Sequence, residues 1–127
     1  MKFHHIGISV RDLEKSIKFY KDNFGFKEIN RFSKEEWDGE AAVLELDGFI
    51  LEIFGFNDYI KGKDDTSNLK VTGLNHFAFR VDGVDEKYKE LKEKGIDISK
   101  PQKGTTIIKY CFLRDPDNIS IELYEEK

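Results

Sequence analysis

The chain has 127 residues, 39% of them hydrophobic, a formal charge of −4 and one cysteine, Cys111. The length suits one compact domain over residues 1–127. The acidic balance, with no basic run, argues against a nucleic-acid or anionic-membrane partner, and the lone cysteine rules out an intrachain disulfide. No signal peptide or apolar span of membrane length stands out, so the expectation is a cytoplasmic protein.

Residues 2–10 alternate as a strand should, with His4, Ile6, Ile8 and Val10 on one face and Phe3, His5, Gly7 and Ser9 on the other. Asp12 is a natural helix N-cap, Leu13, Ile17, Tyr20 and Phe24 recur at helical spacing, and Gly25 supplies the stop. Strands are expected near 26–33, 40–46 and 49–56, the last two joined by the hairpin pair Asp47-Gly48. Residues 57–72 are polar, with Gly62, Asp64, Asp65, Thr66, Ser67 and Asn68, and read as a linker. The pattern then restarts: a strand over about 73–81, a helix over about 84–94 with Tyr88 and Leu91 inward and Gly95 as its stop, and strands near 96–100, 106–113 and 119–125. Asp115-Pro116-Asp117-Asn118 is the turn between the last two. Lys87 to Lys94 alternates acid and base as a solvated helix face does, and Cys111, inside Tyr110-Cys111-Phe112-Leu113, reads as a buried inert thiol.

Each half therefore reads β-α-β-β-β, one module written twice (1–56 and 73–127). The histidines that open His5-Ile6-Gly7-Ile8-Ser9-Val10 and His76-Phe77-Ala78-Phe79-Arg80-Val81 stand 71 residues apart. The glutamates within Leu51-Glu52-Ile53 and Ile121-Glu122-Leu123 stand 70 apart. A single histidine on a strand, or a glutamate on a one-sided sheet, is ordinarily a surface residue. Here two of only three histidines fall at equivalent positions. Two equivalent carboxylates sit inside apolar strands, where an unpaired charge is costly. Two imidazoles and two carboxylates form a metal-ligand set.

Alternation decides which faces carry these groups. His5 lies with the small residues Gly7 and Ser9, opposite branched Ile6, Ile8 and Val10; His76 lies with Ala78 and Arg80, opposite Phe77, Phe79 and Val81. Glu52 shares the face of Ile50 and Phe54, and Glu122 that of Ser120 and Tyr124. If each module is a curved half-sheet, these faces line its concave side.

With those residues in hand, the chain resembles the vicinal oxygen chelate superfamily, that of glyoxalases, bleomycin-resistance proteins and dioxygenases. The resemblance runs through His5–Leu13, Ser16-Ile17-Lys18-Phe19-Tyr20, Phe24-Gly25-Phe26 and Asp115–Leu123 and covers essentially the whole chain. It implies an α+β fold in which two tandem βαβββ modules form a U-shaped, partly open mixed-sheet cavity with helices outside. It also implies one divalent ion (Ni, Co, Zn, Mn or Fe) held by His5, Glu52, His76 and Glu122, a small-molecule substrate and a homodimer. The best functional match is glyoxalase I (lactoylglutathione lyase), which isomerises the hemithioacetal of a 2-oxoaldehyde through an enediolate. Glu122 is then the main base, and Glu52 a ligand or second base; Ser9, Phe54, Arg80 and Tyr124 are expected to contact substrate.

Two departures bear on the thiol. Bacterial forms that use glutathione often carry an arginine where this chain has Ser9, and a polar amide is expected where Phe56 stands. Glutathione is therefore not carried over. Arg80, at the mirror position of Ser9, either anchors an anionic substrate group or serves a structural ion pair. The same superfamily holds methylmalonyl-CoA-epimerase-like enzymes, to which the His-Ile-Gly-Ile run is similar. It also holds extradiol dioxygenases and thiol transferases, whose triad His5, His76 and Glu122 could supply, and drug-binding proteins without catalysis.

Overall fold

The computed structural model describes residues 1–62 and 68–127, so the part of the expected linker at 63–67 lies outside the described residues. The chain divides into two compact units, Met1–Gly62 and Lys63–Lys127.

Unit one holds β1 (His5–Val10), α1 (Leu13–Phe24), β2 (Lys27–Phe32), β3 (Gly39–Leu46) and β4 (Phe49–Phe56), with the sheet ordered β1-β4-β3-β2. The Asp12 side chain accepts the Lys15 N–H at 3.1 Å and Gly25 closes the helix at φ 84°, so α1 is capped as its residues dictate. Ile17 and Tyr20 are buried beneath it, and the helix packs against β3 and β4. Asp47 and Gly48 both adopt positive φ (48° and 83°), the geometry of a two-residue hairpin whose twist matches its strands. Ile8, Val10, Ala42, Leu44, Leu51 and Ile53 are all buried and make the core face. Their removal from water supplies most of the unit's stability, at roughly 1.5–3 kcal/mol per large apolar side chain.

Unit two repeats the plan with β5 (Phe77–Arg80), α2 (Val84–Glu93), β6 (Gln102–Lys103), β7 (Lys109–Arg114) and β8 (Ser120–Glu125), in the order β5-β8-β7-β6. In both sheets the first strand runs parallel to the last and the other neighbours are antiparallel. Val84 and Leu91 fix α2 over β7 and β8, and Cys111, Leu113, Ile121 and Leu123 form the core beneath. The Cys111 thiol is pushed up to about 11 by burial, with the carboxylates of Asp85 and Glu122 adding to the shift.

One expected element differs. No strand forms over 96–100; Ile98 makes a single bridge to Leu113, and regular pairing is confined to β6. Ser99 explains part of this, because its hydroxyl oxygen accepts the Phe112 N–H at 2.9 Å in place of a strand carbonyl. Pro101 then removes a donor and restricts Lys100. The strand expected over 73–81 is trimmed to β5, with Gly73 at φ 128° before it. Among the described residues no helix is long and apolar enough to cross a membrane.

Candidate functional site

In unit one, register places Gly7 beside Glu52 and Ser9 beside Phe54. Directly paired residues on parallel neighbours share a face, so His5, Gly7, Ser9, Ile50, Glu52 and Phe54 lie together, opposite the buried Ile8, Val10, Leu51 and Ile53. Gly7 lies against the Phe54 ring: a Cβ there would stand 3.4 Å from Phe54 Cε2, an ordinary van der Waals contact. Phe54 belongs to an aromatic group centred on Trp37, whose ring centroid is 5.1 Å from Phe56, 5.9 Å from Phe32 and 6.1 Å from Phe54. The Lys34 ammonium sits 5.3 Å from the Trp37 centroid. His5 is exposed, and its Nδ1 lies 2.8 Å from His4 Nδ1. Glu52 is half-buried and, among the described residues, makes no hydrogen bond or ion pair.

In unit two the histidine and glutamate meet. Ala78 pairs with Glu122 and Arg80 with Tyr124 on β5 and β8, and Phe112 of β7 flanks Glu122 from the other side. His76 Nε2 is 3.0 Å from Glu122 Oε2, both side chains being largely covered (27% and 19% exposed). The Phe112 ring stands edge-on to the imidazole at 5.1 Å. On its other side, His76 Nδ1 is 2.6 Å from Asn75 Oδ1. Both ring nitrogens thus face acceptor oxygens, whereas a neutral imidazole has only one N–H to give. A metal ion held between Nε2 and Oε2 would leave the single N–H for Asn75 Oδ1. The spacing suits the ion, since two ligand atoms about 2.1 Å from one metal and at right angles to each other are about 3.0 Å apart. The donor set, a nitrogen and a carboxylate oxygen, fits a borderline divalent metal. Among the described residues no group of three or more His, Cys, Asp or Glu is placed to hold a metal ion; His76 and Glu122 are in contact, whereas His5 and Glu52 share a face of their sheet.

Arg80 is the expected residue whose surroundings are most specific. Its Nη1 donates to Glu126 Oε2 at 3.0 Å, and the Tyr124 hydroxyl lies 3.5 Å from the other oxygen of the same carboxylate. The Glu126 hydrogen bond raises the Arg80 guanidinium above its ordinary value. Arg80 thus makes an ion pair on an exposed edge, where such a pair contributes little and leaves the guanidinium open to a further anionic partner. Three neighbours of the site were not singled out by sequence reasoning: Trp37, Asn75 and His4, the last set aside as facing away from His5. Trp37 is the only tryptophan, which is a signal available in the sequence. Contact between consecutive residues such as 4 and 5 is not, because strand alternation predicts the opposite.

Comparison with known proteins adds the following. The Glyoxalase/Bleomycin resistance protein/Dioxygenase superfamily model matches residues 2–123. The chain is 35% identical to the uncharacterized protein YwkD of Bacillus subtilis (strain 168) over 128 residues, covering 97% of this chain and 95% of that one. It is 30% identical to a lactoylglutathione lyase of Escherichia coli O157:H7 over 138 residues, covering 100% and 94% of the two chains. Among solved structures, a glyoxalase family protein from Enterococcus faecalis superposes with a TM-score of 0.84 at 26% identity, covering 98% of this chain and 97% of that one.

Proposed function

The chain belongs to the Glyoxalase/Bleomycin resistance protein/Dioxygenase superfamily, and from that premise we propose that it is a metal-dependent, glyoxalase I-like isomerase. Its substrate is the hemithioacetal of a 2-oxoaldehyde and a thiol. The observation that carries the reading is the His76–Glu122 pair, a nitrogen and a carboxylate oxygen 3.0 Å apart and largely shielded from solvent. Its support in kind is the likeness to a lactoylglutathione lyase across 100% of this chain and 94% of that one.

In this reading the candidate ligands of a divalent cation are His76 and Glu122 in unit two and their counterparts His5 and Glu52 in unit one. When bound, the ion supplies Lewis-acid stabilisation of the two vicinal oxygens of the substrate. The protein's own chemistry is proton transfer. Glu122 takes the proton from the carbon bearing sulfur and oxygen, leaving an enediolate, and returns it to the adjacent carbon. Phe112, opposite Glu122 on β7, covers one side of that carboxylate. Glu52 is the second carboxylate, acting as ligand or alternate base. Phe54, in its aromatic group, receives the apolar part of the substrate, while Ser9 and Tyr124 offer hydroxyls. Because Ser9 and Phe56 stand where an arginine and an amide serve glutathione, the proposed substrate is a thiol hemithioacetal, with glutathione not assigned as the thiol.

The test is isomerase turnover of methylglyoxal with a panel of thiols, on protein loaded in turn with Ni, Co, Zn, Mn and Fe. The expected result is activity with at least one pair, reduced at least about a thousandfold by Glu122→Gln with metal retained. Absence of turnover with every thiol and metal would overturn the assignment and favour another reaction of the superfamily.

A further inference from the structure

We propose that the residue preceding each candidate ligand histidine, His4 in unit one and Asn75 in unit two, is a positioning residue that selects the ring nitrogen presented to the metal. The inference deepens the metal reading above and rests on it.

The two contacts are separate observations of one device. Asn75 Oδ1 lies 2.6 Å from His76 Nδ1, and His4 Nδ1 lies 2.8 Å from His5 Nδ1 with the rings edge-to-face at 5.1 Å. Residues 4 and 75 are separated by the same 71 positions as the two histidines. In both units Nδ1 is the nitrogen engaged by the preceding residue, and in unit two the other nitrogen, Nε2, is the one that faces Glu122. Neighbouring side chains on a strand point to opposite faces and do not touch. They touch here because each pair stands at a strand entry, β1 beginning at His5 and β5 at Phe77, before the pleat is established.

An imidazole has two tautomers, and only the nitrogen without a proton has a lone pair to give a metal. An amide oxygen at Nδ1 stabilises the Nδ1–H form and leaves the Nε2 lone pair, on the Glu122 side of the ring, for a metal ion. His4 does the same for His5 when it carries its own proton on Nε2 and accepts with Nδ1. Each ring is then fixed in orientation as well as in tautomer, which lowers the cost of ordering it on binding.

The test uses the full chain and Zn²⁺ alone as probe. Affinity is read by competition with a chromogenic chelator for wild type, Asn75→Leu, Asn75→Asp, His4→Ala and His4→Asn. Long-range ¹H–¹⁵N spectra of histidine-labelled, Zn²⁺-loaded protein report which nitrogen carries the metal. Asn75→Leu and His4→Ala are expected to weaken Zn²⁺ binding about 10–100-fold. Asn75→Asp and His4→Asn, which keep an acceptor, should bind as well as wild type or better. Both ligand histidines should show Nε2 bound and Nδ1 protonated. Wild type that binds Zn²⁺ through Nδ1, or Asn75→Leu and His4→Ala variants with unchanged affinity, would overturn this inference alone. Wild type that takes up no Zn²⁺ would overturn the metal reading and this inference with it.

Discussion

Removing the Asp115 carboxylate tests how the last strand of unit two is held in register. Asp115 is 5% exposed, and a single oxygen, Oδ1, accepts the N–H groups of Asp117 and Ile119, each at 2.8 Å. Backbone bonds from Asn118 to Asp115 (3.0 Å) and from Asp115 to Ile119 (3.1 Å) close the same turn, with Asn118 at φ 65°. The turn sets Arg114 opposite Ser120, and the register that follows brings Phe112 opposite Glu122. Asp115→Ala leaves two N–H groups without that acceptor. A hydrogen bond to a charged partner is worth about 1.5–3 kcal/mol, and two bonds sharing one oxygen are not additive, so the expected loss is about 3 kcal/mol. Asp115→Asn keeps an oxygen at the same place and loses only the charge, for about 1 kcal/mol. With urea slopes of about 1–3 kcal/mol/M, the unfolding midpoint followed by circular dichroism should drop by roughly 1–3 M for the alanine variant and about a third as much for asparagine. An alanine variant within about 0.5 M of wild type, or two variants that coincide, would refute the argument that this one oxygen organises the turn.

Two further outcomes follow from packing and titration. A Cβ on Gly55 would stand 2.7 Å from Leu13 Cβ, so Gly55→Ala must push the start of α1 off β4; a loss of about 1–3 kcal/mol is expected by thermal unfolding, and an unchanged midpoint would show that the helix yields freely. The Cys111 thiol, raised to about 11 from an ordinary 9.0, is neutral and unreactive toward iodoacetamide at pH 8 in the folded chain. Its folded value lies above the unfolded one, so its contribution is whole below pH 9 and is lost as pH climbs from about 9 toward 11, at on the order of 1 kcal/mol per pH unit. Cys111→Ala should flatten that part of the stability profile, and an unflattened profile would assign the alkaline loss to other groups.

Local signals in the sequence were strong wherever one residue dictates one backbone geometry. Asp12 and Gly25 delimit α1, and Asp47-Gly48 makes its hairpin, because cap and turn chemistry acts within four residues. The face assignments of Gly7, Glu52, Ala78 and Glu122 were legible too, since period-two alternation fixes them once the strands exist. Alternation misleads where pairing is irregular. Residues 96–100 look like a strand, yet the Ser99 hydroxyl takes a ladder position and Pro101 interrupts the chain. The same failure hid His4 and Asn75, whose contacts arise at strand entries. The fate of Arg80 depended on Glu126, a residue 46 positions away whose reach no spacing rule reports.

The parallel pairing of first strand with last has a consequence for biosynthesis. His76 and Glu122 are 46 residues apart, and β1 likewise finds its partner only in β4, with His5 opposite Ile50. A nascent chain that has exposed β1, α1 and the β2–β3 hairpin therefore still carries an unpaired first strand, with Ile8 and Val10 open to solvent or to a chaperone. Closing so long a loop is slow relative to forming the hairpins. A chain released early or stalled before residue 120 therefore presents the His76 imidazole without the Glu122 carboxylate. Within unit two, the pairing of His76 with Glu122 marks a unit that has folded to completion.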